Sequence, residues 1–358
     1  MEQPDTTVAL EDIAGKLGIA VSTVSRALRN LPGIHPATRA KVVKAAEALG
    51  YVAPSKRNGD AAPQPRNILM LTLGANEAPP GFLAGMSRAS LSFNFSLLSH
   101  VSSLAESHNL LIPKYQPPLL KMGQVAGIIL IYGWPEDVAR ELSRKWPTVS
   151  IVMHYPGLPI DVIGIDHVEG MFSLVKHLKE SGHKQIGFFG LKPEISWARS
   201  RFAAYAEAML AFGLPFDFEN VVQIREDKSV VKLQSLDTEA METVMRKIKK
   251  GVRAWVCAND VLGQSLYSGL IQRGIRIPED VAITGFHQRR YHSPNLPPLT
   301  TTEVNEEMLG AAALRRLAYR LDHPEESHRL ILMPCNFIQG QSTLDPANTR
   351  AKQVAASV

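Results

Sequence analysis

LEDIAGKLGIAVSTVSRAL, residues Leu10–Leu28, reads as two short helices joined by a tight turn. Leu10, Ile13, Ala14 and Leu17 recur at i, i+3, i+4 and i+7, which is one apolar helix face. Gly18 stops that helix, because glycine enters the left-handed conformation that closes a helix C-terminus at no steric cost. A second helix over Val21–Arg29 turns Val24 and Leu28 inward and leaves Val21, Ser22, Ser25, Arg26 and Arg29 on its outer side. This is the helix-turn-helix arrangement. Its second helix fits the major groove of duplex DNA, where short polar and basic side chains reach base edges. The fork of Arg26 matches guanine O6 and N7.

Working outward, a third helix runs from about Pro36 to Leu49, with Val42, Ala45, Ala46 and Leu49 on one side. Pro36 suits a first helical turn and Gly50 a stop. Residues 52–66 hold three prolines, a glycine and several charges without an apolar period, which predicts a linker. Eight basic residues but only one acid, Glu47, lie between Ile13 and Arg57. The whole 358-residue chain carries only +5, so the rest is close to neutral. A compact basic head on a neutral body is an electrostatic footprint for nucleic acid.

From Asn67 the pattern changes. Short apolar runs at Ile68–Leu73, Gly127–Tyr132, Val149–Met153, Val162–Ile165, Ile186–Phe189, Ala254–Cys257 and Val281–Thr284 predict strands. Amphipathic segments between them, such as Met171–Glu180, Phe202–Phe212, Met241–Lys249 and Val261–Arg273, predict helices. Such alternation means parallel sheets covered by helices, and the length suggests two lobes. Residues after Thr343 are polar and patternless, which predicts a frayed tail.

Composition excludes several classes. Apolar residues at 45% and charged residues at 20% are those of a globular protein, not of a collagen, a coiled coil or a disordered chain. No run of eighteen apolar residues exists, so no membrane span is expected. Met1–Thr7 is polar and acidic rather than a leader, and only two cysteines, Cys257 and Cys335, occur; both point to the cytoplasm. No H-E-x-x-H, paired C-x-x-C, phosphate loop, dinucleotide fingerprint or G-x-S-x-G is present. The expectation is therefore no metal, no cofactor and no enzyme.

The region VALEDIAGKLGIAVSTVSRALRNLPGIHPATRAKVVKAAEALGY resembles the DNA-binding head of the lactose-repressor (LacI/GalR) family of bacterial transcription regulators. Asp12-Ile13-Ala14, Gly18-Ile19, Ser22-Thr23-Val24-Ser25-Arg26, Thr38-Arg39 and Leu49-Gly50-Tyr51 carry the likeness. It continues in SGHKQIGFFG (181–190), CANDVLGQSLYSGLIQRGIRIPEDVAITGF (257–286) and PPLTT (297–301), the last resembling a crossing back to the first lobe. The resemblance implies a small all-α helix-turn-helix head, residues 1–51, a hinge at 52–66, and a two-lobed α/β body like periplasmic binding proteins at 67–343. Lobe 1 is expected at about 67–190 and 298–325, lobe 2 at about 191–297 and 326–343, and the tail at 344–358. It further implies a homodimer on a palindromic double-stranded DNA operator, controlled by a small molecule between the lobes. DNA contacts are expected from Val21, Ser22, Thr23, Ser25, Arg26, Arg29, Thr38, Arg39, Lys56 and Arg57. Effector contacts are expected from Asp166, Trp197, Arg201, Asn259 and His287.

Departures from the family pattern qualify this. The hinge leucine that wedges into the minor groove falls at Asp60, a carboxylate, after the helix-breaking pair Asn58-Gly59; a loose tether is expected. Gly-Phe-Asp-Asp becomes Gly285-Phe286-His287-Gln288, the asparagine after Asp166 is His167, and the arginine near the C-terminus is Gly340. Replacing a carboxylate by histidine, beside Trp197, widens the expected effector from a sugar to a sugar acid or an aromatic acid. An enzyme, or a solute-binding protein, with a helical appendage is the alternative. Against it stand the basic head and the lack of catalytic motifs.

Overall fold

The computed structural model describes residues 9–28, 34–49, 51, 65–74, 78–224, 238–287 and 296–344. Arg29, the linker with Lys56, Arg57 and Asp60, and the tail from 345 onward lie outside the described residues. The chain divides into a head, Met1–Gln64, and a body, Pro65–Val358.

In the head, α1 (Leu10–Leu17), α2 (Val21–Leu28) and α3 (Pro36–Leu49) enclose Ile13, Ala14, Val24, Ala27, Val42, Ala45 and Ala46. The Asp12 carboxylate accepts the Ala9 N–H at 2.7 Å and satisfies a donor at the start of α1. Gly18 sits at φ +65 and closes α1.

The first sheet of the body is built from β1 (Arg66–Leu73), β2 (Phe95–Ser102), β3 (Gly127–Ile131), β4 (Thr148–Ile151) and β5 (Asp161–Ile165). Between these strands come α4 (Pro80–Ser90), α5 (Pro118–Lys121) and α6 (Glu136–Lys145). The second sheet is built from β6 (Ile186–Leu191), β7 (Val221–Gln223), β8 (Ala254–Cys257) and β9 (Ala282–Thr284), with α7 (His167–Glu180), α8 (Ser196–Ala211), α9 (Thr238–Lys249) and α10 (Asp260–Ile271). The chain then returns through β10 (Thr301–Glu303), α11 (Glu306–Asp322), β11 (Leu330–Met333) and β12 (Asn336–Ile338). The sheet orders are β11-β5-β4-β3-β1-β2 and β7-β6-β8-β9, all parallel, with β10 and β12 forming an antiparallel ribbon. The central strands are apolar on both faces, as parallel strands covered by helices must be.

The sheets correct the expected lobe boundaries. Strand β6 belongs to the second sheet, so the first crossing falls at Asp166 and not near 190. Strand β11 lies on the edge of the first sheet, so residues 330–333 belong to lobe 1. Both lobes have the same strand–helix rhythm, and nothing local marks where the chain changes sheet.

The crossings are laced together. Asp166 N–H donates to Met333 O at 2.9 Å, Cys335 Sγ lies 3.3 Å from Asp166 O, and Gly285 N–H donates to Thr300 O at 2.9 Å. Thr301 Oγ1 donates to the Asp260 carboxylate at 2.6 Å. Helix α11 meets α4 so closely that Gly85 faces Glu307 O and Gly310 faces Phe82 O, with no room for a Cβ at either glycine.

Asp161 clamps α11 to the sheet. Its side chain is wholly buried and accepts from Arg316 at 2.9 Å, Arg320 at 2.8 Å and the Arg329 N–H at 2.6 Å. Burial alone would push its pKa up, but the Arg320 and Arg316 guanidiniums outweigh it and hold the carboxyl below the usual range. Removing the charge leaves two shielded cations facing a neutral amide. Asp161→Asn is expected to lower stability by about 3–5 kcal/mol in urea denaturation at pH 7. Because the folded-state pKa is depressed, the wild-type stabilisation is complete above the unfolded value of about 3.9 and is lost as pH falls through the folded value. The variant should lack that part of the acid sensitivity.

Candidate functional site

In open α/β sheets, ligands bind beyond the carboxyl ends of the strands. Here those ends carry Tyr132 after β3, Val152 after β4, Asp166 after β5, Ala258 after β8 and His287 beyond β9. Of four described non-glycine residues with positive φ, three are in this set: Tyr132 (+68), Val152 (+66) and His287 (+68). Such backbone costs about 1–3 kcal/mol per residue and persists where surroundings impose it. Contacts join the lobes at this level. Ser196 Oγ donates to Met153 Sδ at 3.2 Å, and His287 Nε2 lies 4.0 Å from Glu306 Oε1.

Arg201 is the centre of the site and is only 4% exposed. Its guanidinium carbon lies 4.1 Å from the Phe286 ring centroid and 4.8 Å from that of Trp197. Nη1 donates to Ala258 O at 2.7 Å, and Nε donates to His167 Nδ1 at 3.5 Å. His167 in turn lies against Phe286, with ring centroids 5.6 Å apart. Gly170 is required behind it, because a Cβ there would fall 2.5 Å from the Phe286 ring.

Burial, then the charges of Arg201 and His287, push the His167 pKa down to about 3. The imidazole is therefore neutral near pH 7. Since Nδ1 accepts from Arg201, the proton is on Nε2.

Asp166 and Asn259 cap helices. The Asp166 carboxylate accepts Glu169 N–H at 2.9 Å at the start of α7, and Asn259 Oδ1 accepts Leu262 N–H at 2.8 Å at the start of α10. Either side chain thus has a structural reason to be there.

Of the five expected effector residues, Asp166, Asn259 and His287 lie beyond strand ends, Trp197 in the first turn of α8 and Arg201 in its second. Trp197 and Phe286 both lie against the Arg201 guanidinium, His287 follows Phe286 in the chain, and Asn259 follows the carbonyl that Arg201 holds. Asp166 adjoins His167. The candidate set does not include His167 and Phe286; His167 is itself one of the departures from the family pattern, whereas Phe286 keeps the family residue and stood out by no departure.

In the head, Val21, Ser22 and Arg26 are exposed on α2, Thr23 and Ser25 are half-buried on it, and Thr38 and Arg39 are half-buried on α3. Among the described residues no group of His, Cys, Asp and Glu is placed to hold a metal ion, and no helix is long and apolar enough to cross a membrane.

The pattern of bacterial regulatory proteins of the lacI family matches residues 9–54, and that of a periplasmic binding protein-like domain matches residues 175–343. The chain is 26% identical to the HTH-type transcriptional regulator DegA of Bacillus subtilis (strain 168), covering 94% of this chain and 98% of that protein. It is 25% identical to the HTH-type transcriptional repressor CytR of Escherichia coli (strain K12), covering 96% and 98%. Among solved structures, a complex of the transcriptional regulator CelR with cellobiose has 23% identity, a TM-score of 0.64 and coverage of 94% and 99%. The lac repressor dimer bound to operator and the anti-inducer ONPF has 22% identity, a TM-score of 0.60 and coverage of 95% and 100%. At these identities the structures establish the shared fold.

Arg201→Ala removes a buried charged hydrogen bond and two ring contacts, and is expected to lower stability by about 2–4 kcal/mol, read by chemical denaturation. A loss under 1 kcal/mol would show that the arginine does not hold the site together. The His167 ring should not titrate by NMR between pH 8 and pH 5. Its folded pKa lies below the unfolded 6.5, so the body should lose stability as pH falls from 6.5 towards 3.

Proposed function

The chain belongs to the lacI family of bacterial regulatory proteins, and on that premise we propose that it is a cytoplasmic, non-enzymatic repressor whose DNA binding is set by a small molecule held between its two lobes. The observation that carries this reading is the outer face of α2, where Val21, Ser22 and Arg26 stand exposed over a closed helical core. Lys and Arg side chains of the head contact phosphates and set register. Val21, Ser22 and Arg26 read bases, supported by Thr23 and Ser25, while Thr38, Arg39, Arg29, Lys56 and Arg57 add backbone contacts.

One head makes few base contacts, so discrimination calls for two heads on a roughly palindromic site. The reading is of a homodimer, expected to sediment at about twice 39.3 kDa at micromolar concentration. The effector acts by binding one lobe arrangement better than the other, which is the thermodynamic requirement for any such control.

Binding to random duplex DNA should fall steeply with salt, as phosphate contacts release counterions. Arg26→Ala should cost about 1–3 kcal/mol on a selected site and relax one base preference. Selection from random DNA checks this, and an unchanged consensus in the variant would remove Arg26 from base reading.

A further inference from the structure

Helix α8 is apolar on both of its sides. Its inner side buries Ala198, Ala204, Tyr205, Ala208 and Met209. Its outer side carries Arg199, Ala203, Glu207 and Leu210, all exposed, with Ala206 half-buried beside them. At 3.6 residues per turn these four exposed positions fall within a stripe about 80° wide. Leu210 is 70% exposed, and Phe218, in the segment that follows the helix, is 54% exposed. The Phe202 ring lies 5.9 Å from Phe218 and 6.3 Å from Phe216, so the apolar surface runs from the helix onto that segment. A helix that is apolar all round belongs in an interior, and a contiguous apolar surface left outside marks an interaction face.

The charges on this face identify the occupant. Arg199 and Glu207 stand four residues either side of Ala203, about 6 Å along the axis in each direction. We propose that a second copy of this chain docks here, its α8 antiparallel to the first about a two-fold axis at Ala203. That operation sets Arg199 opposite Glu207 of the second copy, and does so twice, which is the self-complementarity an isologous contact requires. A parallel pairing would oppose like charges, and a foreign partner of one sign would satisfy only one of the two ends. Arg199 spends one N–H on Pro193 O at 2.5 Å, one of the five that a guanidinium carries. Glu207 has no ion pair among the described residues. Alanines at 203 and 206 let the helices approach at the short end of the usual ~8–10 Å. The same two-fold brings Ala206, Leu210 and Phe218 of both copies to one flank of the helix pair. One helix face with its flanking rings is smaller than the ~800 Å² that each partner buries in a stable interface, so the pairing is weak and depends on concentration.

The test is sedimentation velocity of the full chain from about 1 µM to about 200 µM. The mass should double across this range, from about twice to about four times 39.3 kDa. A start at 39.3 kDa that doubles would remove the separate dimer reading and leave this one standing, since only the doubling is at issue. Ala203→Glu and Leu210→Ser should each weaken the doubling at least tenfold. Arg199→Glu and Glu207→Arg should each do the same, and the chain carrying both exchanges should recover it to within about threefold. All four positions are exposed, so an unchanged thermal midpoint reports that each variant is folded. No doubling by about 200 µM would leave the face to a different occupant and overturn the proposal. Doubling untouched by Ala203→Glu and Leu210→Ser would place the association elsewhere and overturn it too, and failure of the double exchange to recover the association would overturn the antiparallel pairing.

Discussion

The level at which the two lobes meet is organised around a buried cation. Three segments distant in sequence converge on the Arg201 guanidinium: the start of α7 through His167, the β8–α10 turn through Ala258 O, and the end of β9 through Phe286; Trp197, one turn earlier on the same helix α8, packs against it as well. A charge withdrawn this far from water is tolerated only with hydrogen bonds and polarisable neighbours, and the two rings and the carbonyl provide them. The rest of the site follows from that. Gly170 must lack a side chain to admit Phe286, and His167 must stay neutral beside a fixed positive charge.

What surrounds this centre is a pair of sheets joined by crossings that hydrogen-bond to one another. Asp166 and Cys335 belong to two of these crossings and touch, while Thr300 and Thr301 of the third bond to Gly285 and Asp260. A change in the angle between lobes would be absorbed at these few residues, since packed sheets do not deform continuously. In lobe 1 the closeness of α4 and α11, and the clamp of Asp161 on α11, carry Glu306 as part of a rigid unit to its place opposite His287. The strained backbone at Tyr132, Val152 and His287 lies at the same level, where the two lobes meet.

The head works on different physics. Its core is a handful of small aliphatic side chains, and its outward chemistry is a few short residues on one helix. Specificity there depends on which side chains face out. In the body, Asn259 and Asp166 each spend a side-chain oxygen on the first turn of a helix, a role that residue type alone does not reveal.

Read alone, the sequence determined the three head helices, because the i, i+3, i+4 spacing of Leu10, Ile13, Ala14 and Leu17 and the stop at Gly18 are local signals. It also located the core strands of both sheets, whose apolar runs are as short and continuous as doubly covered strands require. The strand β2 and the short strands β7, β10, β11 and β12 were not legible. β2 reads Phe95–Ser102 with polar residues between apolar ones, and β11 alternates exposed leucines with half-buried residues; both are edge strands, covered incompletely and so patterned weakly. The change of sheet at Asp166 was also hidden, since strand–helix alternation is the same on either side of it. The residues at 166, 197, 201, 259 and 287 were singled out through the family resemblance, as expected effector contacts. That Arg201 is a buried strut, that His167 is neutral, and that Asn259 caps a helix were decided by tertiary and local contacts, because protonation and hydrogen-bond polarity are set by neighbours that the chain brings together only on folding.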